Sequence, residues 1–395
     1  MLMNSNEQFR RASLTGALEA LCENLEPTTT QSDEAEARYN TASRWLAGSS
    51  HPALAGVSIY VQGSTAIGTT VKPIGRNEYD VDLIARLNSV ARGFPPAFVK
   101  RLIGDRLKEH GVYAQLLKEM CRCWRLDYAN EFHLDITPSV PNPDCNNEGE
   151  LVPDRELRDW KASNPRGYKS AFIRRAALRP RMRLQKSVPA FDARAVSSIE
   201  PFPATNGFKG LLRRTVQIAK RHRDVHFARR PKECAPISVI VTTLLAWSYE
   251  RCVARSEFED ELDVLTEVIA GMPNFIEQRD GNWYIWNDTT PGENFAEKWN
   301  THPDRAVSFF AWHRKILQDL VTLKSLEGLD RIGKQLGESL GERPAGVAMD
   351  HLEKSVSKAR ATGALRYGGA GLVSAPVGVS QRAFATVPKN TFFGA

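Results

Sequence analysis

The stretches YDVDLI at residues 79–84 and FHLDI at residues 132–136 decide the fold of this chain. Side chains alternate between the two faces of a β-strand, so Asp80 and Asp82 are predicted to share one face while neighbouring apolar residues pack on the other. In the second stretch Asp135 is predicted to lie on the face opposite to its apolar neighbours. If the two strands are adjacent, the three carboxylates form a cluster of hard oxygen ligands that could hold one or two Mg2+ ions.

A glycine-serine pair precedes these strands in Gln62-Gly63-Ser64. Residues 57–61 are typical of an apolar strand, and Gly63 lets the backbone approach a bulky ligand because it has no side chain. Residues 64–67 are predicted to open a short helix whose free amide groups would face anionic oxygens. A glycine-serine pair alone indicates nothing, and an Asp-Val-Asp triplet is common at solvated strand ends, whereas their ordered combination indicates a triphosphate held between Ser64 and metal ions.

Length and composition favour two domains and a tail. The chain has 395 residues, which is enough for two sizeable cores, and its 42% hydrophobic and 25% charged residues are ordinary for a soluble globular protein. The nearest candidate for a membrane helix, residues 237–247, is too short and contains two threonines. No secretion signal is visible, and the six cysteines lack the paired spacing of a zinc site. These features predict a cytoplasmic protein with no membrane partner.

The net charge of +7 is concentrated in two basic segments. Residues 160–191 contain nine Lys or Arg and residues 354–395 contain six, and neither segment contains an acidic residue. The remainder of the chain is therefore net acidic. The first segment could follow a nucleic acid backbone, balance the phosphates of a bound nucleotide or form a solvated basic helix, and the sequence leaves these alternatives open.

The order of the patterns predicts an α+β fold. Helical periodicity dominates residues 6–50, strand signals and one helix occupy residues 55–140, and helical periodicity returns from about residue 206. We therefore predict a mixed-sheet core with N-terminal helices over residues 1–205, a helical domain over residues 206–353 and a flexible basic tail over residues 354–395.

Two predicted helices in the second half carry further polar residues. Arg213, Gln217 and Lys220 lie along one face of the first helix, where such a basic stripe is usually only exposed. Ser238 stands shortly after a proline at a predicted helix start, among the unpaired amides of the first turn. A serine at this position either binds an anion or simply begins the helix, and spacing alone slightly favours the second interpretation.

These motifs together resemble the nucleotidyltransferase superfamily of DNA polymerase beta, whose core carries a glycine-serine pair, paired acids and a third acid in this order. In detail the chain resembles the bacterial cyclic oligonucleotide synthases called CD-NTases, relatives of oligoadenylate synthase and cyclic GMP-AMP synthase that act in anti-phage signalling (CBASS). The resemblance spans most of residues 55–300 and rests on QGS at 62–64, DVD at 80–82, Asp135, Trp160 with NPRGY at 164–168, residues 217–224, PIS at 236–238 and ENFAEKW at 293–299.

The resemblance implies a polymerase-beta-like nucleotidyltransferase core packed against a C-terminal helical domain, with the active site in the cleft between them. It implies that Asp80, Asp82 and Asp135 are catalytic and hold two Mg2+ ions, with Mn2+ as an alternative metal. The substrates would be ATP and other NTPs, and the product would be a cyclic di- or trinucleotide second messenger that contains adenine. The residues implied to bind the donor nucleotide are Gln62, Gly63, Ser64, Lys220 and Ser238.

The resemblance also bears on partners. The Cys/His cluster of the zinc insertion in animal cyclic GMP-AMP synthase is missing, so nucleic acid is not expected to be required. Some family members are conjugated by an E1-E2-like partner through a flexible C-terminus that ends in a small residue, and FFGA at residues 392–395 fits this pattern. Ala395 is then either a conjugation point or the end of an inert tail. A HORMA-type regulator and an effector that binds the product are further partners that the resemblance allows.

Two other functions stay open. One is a template-free transferase that makes linear oligoadenylate or adds nucleotides to RNA, and it would yield no ring-closed product. The other is a non-catalytic nucleic-acid-binding protein that uses the basic segment 160–191, and it would synthesise nothing from NTPs.

Overall fold

A computed structural model of the chain describes residues 5–75, 79–90, 93–128, 132–154, 158–183, 210–361, 365–368, 371–374 and 385–386. Within these ranges two N-terminal helices precede a mixed sheet and packed helices follow it, so the predicted α+β fold is confirmed. The strands are β1 (Ser58–Gln62), β2 (Tyr79–Arg86), β3 (Leu117–Glu119), β4 (Trp124–Tyr128), β5 (Phe132–Pro141), β6 (Glu150–Asp154), β7 (Asp159–Ser163), β8 (Arg181–Met182), β9 (Glu257–Phe258), β10 (Glu277–Arg279), β11 (Asn282–Tyr284), β12 (Leu365–Gly368), β13 (Gly371–Ser374) and β14 (Ala385–Thr386). The helices are α1 (Ser5–Leu25), α2 (Thr29–Ala47), α3 (Gly63–Ile67), α4 (Pro96–Lys108), α5 (Gly111–Leu116), α6 (Pro165–Ala176), α7 (Leu211–His226), α8 (Ser238–Arg255), α9 (Glu261–Ala270), α10 (Glu297–Thr301), α11 (Asp304–Ser325), α12 (Leu329–Leu340) and α13 (Glu342–Ala361).

The central sheet has seven strands, and its parallel pair carries the acidic residues. The strand order is β1-β2-β5-β4-β3, with β6 paired to the end of β5 and β7 paired to β6. β2 and β5 run parallel, whereas the other neighbouring strands run antiparallel. In the parallel pair Asp82 lies opposite Asp135. The expectation that the two acidic strands are neighbours is therefore confirmed.

One face of the sheet packs against α2 and α4. Leu83, Leu134 and Ile136 have no exposed surface and share an apolar cluster with Leu46 of α2 and Ile103 of α4. Because side chains alternate along a strand, burying these residues on one face turns the acidic residues to the other. The apolar packing of the core thus decides which way the carboxylates point.

A second apolar cluster holds the helical half together. It joins Leu14 and Leu21 of α1 to Val216 of α7, Leu244 of α8 and Phe309 of α11, all of them buried. The N-terminal helix α1 therefore packs among the helices of the second half, although it comes first in the chain. The predicted domain boundary at residue 205 falls within residues 184–209, which lie outside the described residues.

The predicted tail begins inside a helix. α13 continues to Ala361, with Lys358 and Arg360 in its last turn, where basic side chains interact favourably with the helix dipole. Residues 354–361 are therefore helical, which corrects the prediction of a flexible tail from residue 354. A hairpin of β12 and β13 follows, and Ala395, the predicted conjugation point, lies outside the described residues.

One segment of the described chain, Lys232–Arg255, is long and apolar enough by composition to cross a membrane, which corrects the expectation that the candidate at residues 237–247 is too short. Within the fold, 56% of its most apolar 18-residue stretch is buried. The buried positions include Val241, Leu244 and Leu245 of α8, which belong to the second apolar cluster. A helix buried in the core of a globular domain has the same apolar composition as a helix that crosses a membrane.

Candidate active site

A cleft of about 790 Å3 lies between the sheet and the helical half. Such a volume is typical of sites that enclose a small molecule. Both halves contribute predicted site residues to its walls, namely Gln62, Gly63, Ser64, Asp80 and Asp82 from the sheet side and Lys220 and Ser238 from the helical side. Seven of the eight residues singled out for catalysis and nucleotide binding therefore line one cavity.

The eighth residue, Asp135, lies beside the cleft on the next strand. It faces Asp82 across the parallel pair of strands, and Asp80 lies two residues earlier on the same face of β2. The side chain of Asp80 is 58% exposed, whereas that of Asp135 is 13% exposed. The three carboxylates therefore form the predicted cluster, in which Asp135 is far more enclosed than Asp80.

The electrostatics of the cluster reflect crowding of like charges. Burial raises the pKa of Asp82 to about 7, with the nearby charges of Asp135 and Asp80 acting in the same direction. Burial likewise raises the pKa of Asp80, with Arg125 acting in the opposite direction. These carboxylates are held together at a cost in free energy that a cation would relieve.

Arg125, which the sequence analysis did not identify, supplies one such cation. It lies on β4 directly opposite Asp135. Its Nε donates to Oδ1 of Asp135 and its Nη2 donates to Oδ2, both at 2.7 Å, and Nη2 also reaches Oδ1 of Asp80 at 3.3 Å. The only signal in the sequence was the alternation in WRLDY at 124–128, which places Arg125 and Asp127 on one face of a short strand.

The carboxylate cluster can be tested as a metal site by its donors. As the side chains stand, the described residues contain no group of three His, Cys, Asp or Glu that could hold a metal ion, and the guanidinium of Arg125 spans Asp135 and Asp80. The donors themselves are carboxylate oxygens, which are the ligands that Mg2+ and Mn2+ take in proteins. The crowded charge around Asp82 also fits a bound cation. The residues therefore fit a divalent metal ion once Asp135 is released from its fork.

The glycine-serine motif forms the predicted turn between β1 and α3. Gly63 has φ +65, a conformation that favours glycine, and α3 begins at this residue. Ser64 accepts a hydrogen bond from the hydroxyl of Thr70 at 3.4 Å. The motif thus brings backbone and a hydroxyl to the floor of the cleft next to Asp82.

Lys220 projects from α7 towards the same floor. It is 6% exposed, and its Nζ donates to the carbonyl oxygen of Thr69 at 2.9 Å. Burial lowers its pKa to about 8; the charge of Arg223 acts in the same direction, whereas Asp224 and Asp82 oppose it. Lys220 is thus a buried cation at the edge of the cleft rather than part of an exposed stripe.

Gln217, one turn before Lys220, holds α7 against the same loop. Its side-chain amide donates to the carbonyl oxygen of Thr70 at 3.2 Å. The residue has no exposed surface. This contact fixes the position from which Lys220 reaches the floor of the cleft.

Arg223 joins Lys220 and Ser238 on the helical wall, and it is a second residue that the sequence analysis missed. Its Nη1 donates to the hydroxyl of Ser238 at 3.0 Å and to the carbonyl of Pro236 at 3.1 Å. The carboxylate of Asp224 accepts from the same guanidinium. Ser238 begins α8, as predicted. Arg223 and Lys220, one turn apart on α7, present two cations to the cleft, and helical spacing from Lys220 was the available signal.

The sequence blocks at 160–168 and 293–299 form the remaining wall. Lys161 and Glu297 pair across the cleft at 2.5 Å, and burial raises the pKa of Glu293. Several cations of the basic segment are engaged within the molecule: Arg175 pairs with Glu250 at 2.7 Å, and Arg166 stacks over a tyrosine ring. The charge of this segment is therefore used in part to join the two halves of the cleft.

Sequence comparison relates the chain to enzymes that make nucleotide second messengers. Residues 13–175 match the model of the Second Messenger Oligonucleotide or Dinucleotide Synthetase domain. A c-di-GMP synthase from Roseivirga ehrenbergii is 29% identical over 402 residues, which covers all of both chains. The cyclic dinucleotide synthase CdnG from Bradyrhizobium diazoefficiens is 26% identical over 215 residues, half of each chain.

Structural comparison relates the fold of the chain to that of solved bacterial proteins. The structure of the B. diazoefficiens CD-NTase CdnG in complex with GTP has a TM-score of 0.63, 18% identity, and coverage of 86% of this chain and 99% of that one. The structure of the Escherichia coli CdnC:HORMA-deltaN complex has a TM-score of 0.56 with 13% identity, and it covers 82% of this chain and 96% of that one. At these identities the likeness concerns the fold.

Proposed function

Because the chain is a bacterial CD-NTase, and hence a nucleotidyltransferase, we propose that it links nucleoside triphosphates into a cyclic oligonucleotide second messenger in a metal-dependent reaction. One observation carries the proposal: acidic residues on the sheet and cations on α7 face a single cleft. A triphosphate with its metal ions, lying between these walls, has opposite charge on both sides.

The proposed roles follow from the positions of the side chains. Asp80 and Asp82, completed by Asp135, would hold Mg2+ or Mn2+, which when bound polarises the reacting phosphate and neutralises the leaving pyrophosphate. Lys220 and Arg223 bind the phosphates from the helical wall. Their positive charge offsets the charge that builds up as pyrophosphate departs.

The hydroxyl groups and backbone of the floor orient the donor nucleotide. Ser64 on the sheet side and Ser238 on the helical side stand on opposite walls, so their hydroxyls can donate to phosphate oxygens from both. Gly63 keeps the floor free of a side chain at the closest approach of the backbone. Gln62 extends the same wall and would contact the nucleotide beside the phosphates.

The proposed reaction joins an acceptor to a donor. The 3′ or 2′ hydroxyl of the acceptor ribose attacks the α-phosphorus, a new phosphodiester bond forms, and the bond to pyrophosphate breaks. Asp135 accepts the proton of the attacking hydroxyl. A second attack, by the remaining ribose hydroxyl on the remaining triphosphate, closes the ring in the same cleft.

We propose a cyclic dinucleotide that contains guanine as the first product to test. The relative matched over its whole length is named a c-di-GMP synthase, and CdnG is named a cyclic dinucleotide synthase. The adenine-containing di- or trinucleotide predicted from the resemblance stays the second candidate. The pocket alone has ample room for either base.

The biological setting is also a proposal. A role in anti-phage defence, a cytoplasmic location, conjugation through Ala395 and a downstream effector rest on the resemblance of the sequence. A HORMA-type regulator has the additional support that one structural neighbour was solved as a CdnC:HORMA complex.

Product analysis tests the proposed function. The full-length protein is incubated with Mg2+ and each radiolabelled NTP alone and in pairs, treated with phosphatase, and analysed by mass spectrometry. Phosphatase-resistant cyclic products from GTP, alone or with a second NTP, support the proposal, and cyclic products from ATP alone favour the adenine alternative. Only linear chains, or no product in the presence of Mg2+ or Mn2+, would contradict cyclic oligonucleotide synthesis.

A further inference from the structure

Arg125, the cation among the three carboxylates, has contacts that suggest a role other than metal binding. Arg125 engages Asp135 through two parallel hydrogen bonds of 2.7 Å and reaches Asp80 at 3.3 Å. This fork uses both oxygens of Asp135. A metal ion that takes Asp135 as a ligand needs one of the same oxygens.

We infer that Arg125 is an internal counter-ion that competes with divalent metal for Asp135 and thereby lowers the metal affinity of the protein. The inference rests on the proposed metal-dependent function and concerns its first step, the binding of the metal ion. Charge-assisted bidentate pairs are among the strongest hydrogen bonds in proteins, so a metal ion must compete with the guanidinium for the same two oxygens.

The position of Arg125 in the sheet makes the contact a built feature rather than a chance surface pair. Arg125 and Asp135 face each other across the antiparallel strands β4 and β5, and Asp82 faces Asp135 from the other side. The side chain of Arg125 is only 22% exposed. A half-buried guanidinium is thus held in line with the acidic residues by the register of three strands.

The electrostatics agree with a counter-ion. The hydrogen bonds to Asp135 are the largest contribution that raises the pKa of Arg125, so the guanidinium stays charged throughout the working range. Without a positive charge, three carboxylates this close would repel one another. Arg125 therefore offsets part of the repulsion among the carboxylates, and a metal ion must stabilise their charge more than the guanidinium does.

The same strand ladder provides a matched control. Lys118 on β3 lies directly opposite Arg125 and pairs with Asp127, and its side chain is 62% exposed. Lys118 does not line the cleft. Lys118→Gln removes one positive charge from the same hairpin without touching the carboxylate cluster.

The test measures binding of Mn2+ alone, in the absence of nucleotide, by the loss of the free Mn2+ signal in electron paramagnetic resonance. We expect Arg125→Gln to bind Mn2+ roughly tenfold more tightly than the unchanged protein, because the competing fork is gone. Arg125→Lys keeps the charge but cannot form the fork, so an intermediate gain is expected. Lys118→Gln should bind as the unchanged protein does.

Several results would overturn the inference. Equal Mn2+ affinities in the unchanged protein and in both Arg125 variants would show that the fork does not compete with metal. A gain in Arg125→Gln without any gain in Arg125→Lys would assign the effect to net charge rather than to the two-point contact. Absence of Mn2+ binding in every variant would refute the proposed metal dependence as well, which distinguishes the two failures.

Discussion

Gly63 packs directly against the carboxylate of Asp82. A Cβ atom placed on Gly63 would overlap Oδ2 of Asp82 and lie 3.1 Å from its Cγ. The contact arises because Gln62, the preceding residue, pairs with Asp82 in the antiparallel ladder of β1 and β2. The glycine of the motif is thus required by a specific acidic side chain as well as by its own backbone conformation.

We expect Gly63→Ala to remove nucleotide synthesis, with a loss of at least about a hundredfold in kcat, because a small displacement of a reacting group is enough for such a loss. Gly56→Ala is the matched control, since Gly56 has φ +67 and an added methyl group there would meet nothing within 4 Å. Both variants place alanine at a positive φ and so carry similar backbone strain. If the two variants are comparably stable and only Gly63→Ala loses activity, the result supports the contact between Gly63 and Asp82. Equal activities in the two variants would contradict it.

Asp82→Asn should stabilise the protein while it abolishes catalysis. Burial and the neighbouring carboxylates raise the pKa of Asp82 from 3.8 to about 7. Above pH 7 the folded protein therefore bears a free-energy cost for the ionised Asp82 that the unfolded chain does not bear. This cost shrinks as the pH falls through 7 and is absent below pH 3.8. One pKa unit corresponds to about 1.4 kcal/mol, so at pH 8 we expect the free energy of unfolding to rise by about 4 kcal/mol in chelator-treated buffer.

Chemical denaturation at pH 8 and pH 4 measures this difference. The gain at pH 8 should largely disappear at pH 4, where the carboxyl group is protonated in the folded protein and the pH is close to the pKa of 3.8 in the unfolded chain. Asp127→Asn serves as the control, because hydrogen bonding from Lys118 lowers the pKa of Asp127 and its replacement should destabilise the protein. A destabilised Asp82→Asn variant at pH 8 would argue against crowded charge at the cluster.

Nucleotide binding should be coupled to proton uptake by Lys220. Its pKa is lowered to about 8 by burial, so at pH 9 most of the free protein carries a neutral amine there. A triphosphate in the cleft stabilises the charged amine and raises its pKa, so the complex takes up a proton. Titration calorimetry with a non-hydrolysable GTP analogue, in two buffers of different ionisation enthalpy at pH 9, measures this uptake.

Lys220→Arg is the control for the proton uptake, because a guanidinium is charged at every pH in this range. That variant should bind without uptake attributable to position 220. At pH 6, where the amine is already charged, the unchanged protein should also bind without it. Equal uptake at pH 9 in both proteins would assign the proton to another group.

Arg223→Ala should weaken substrate binding. Arg223 contacts the hydroxyl of Ser238 and lies one turn from Lys220. Loss of one hydrogen bond from a charged donor is worth about 1.5–3 kcal/mol, so we expect KM for the NTP to rise roughly tenfold to a hundredfold. Steady-state kinetics at saturating Mg2+ measures it. Arg230→Ala is the control, because Arg230 lies just beyond the end of the same helix and outside the cleft lining. This variant should leave KM unchanged. An equal rise of KM in both variants would contradict a local role for Arg223.

Much of the catalytic wall could be predicted because its signals are local. The alternation in YDVDLI turns Asp80 and Asp82 to one face whatever the rest of the chain does, since it follows from the geometry of one strand. The glycine at 63 and the helix start at Ser238 are likewise properties of a few consecutive residues. These motifs carried both the predicted fold class and the resemblance to the CD-NTases, which the comparisons confirm.

The missed residues depend on pairing between segments. Arg125 matters because β4 pairs with β5 in a register that puts it opposite Asp135, and Arg223 matters because α7 packs beside the start of α8. The strand around Arg125 is only five residues long, and its alternation does not show which strand it pairs with. The helical stretch beyond residue 354 was missed for a related reason, since its apolar residues are few and α13 is held by packing against α1 and α12.

The sequence by itself therefore determined the candidate residues for the chemistry: the acidic strand motifs, the glycine-serine turn, and the lysine and serine of two helices. Only the tertiary structure decided which groups face one another: Arg125 contacts Asp135 and Asp80, Asp82 lies against Gly63, and Lys220 and Arg223 face the acidic residues across the cleft. The physical reason is one of range. Alternation and turn preferences act over a few residues, whereas strand register and helix packing are set by the burial of apolar surfaces that lie far apart in the chain.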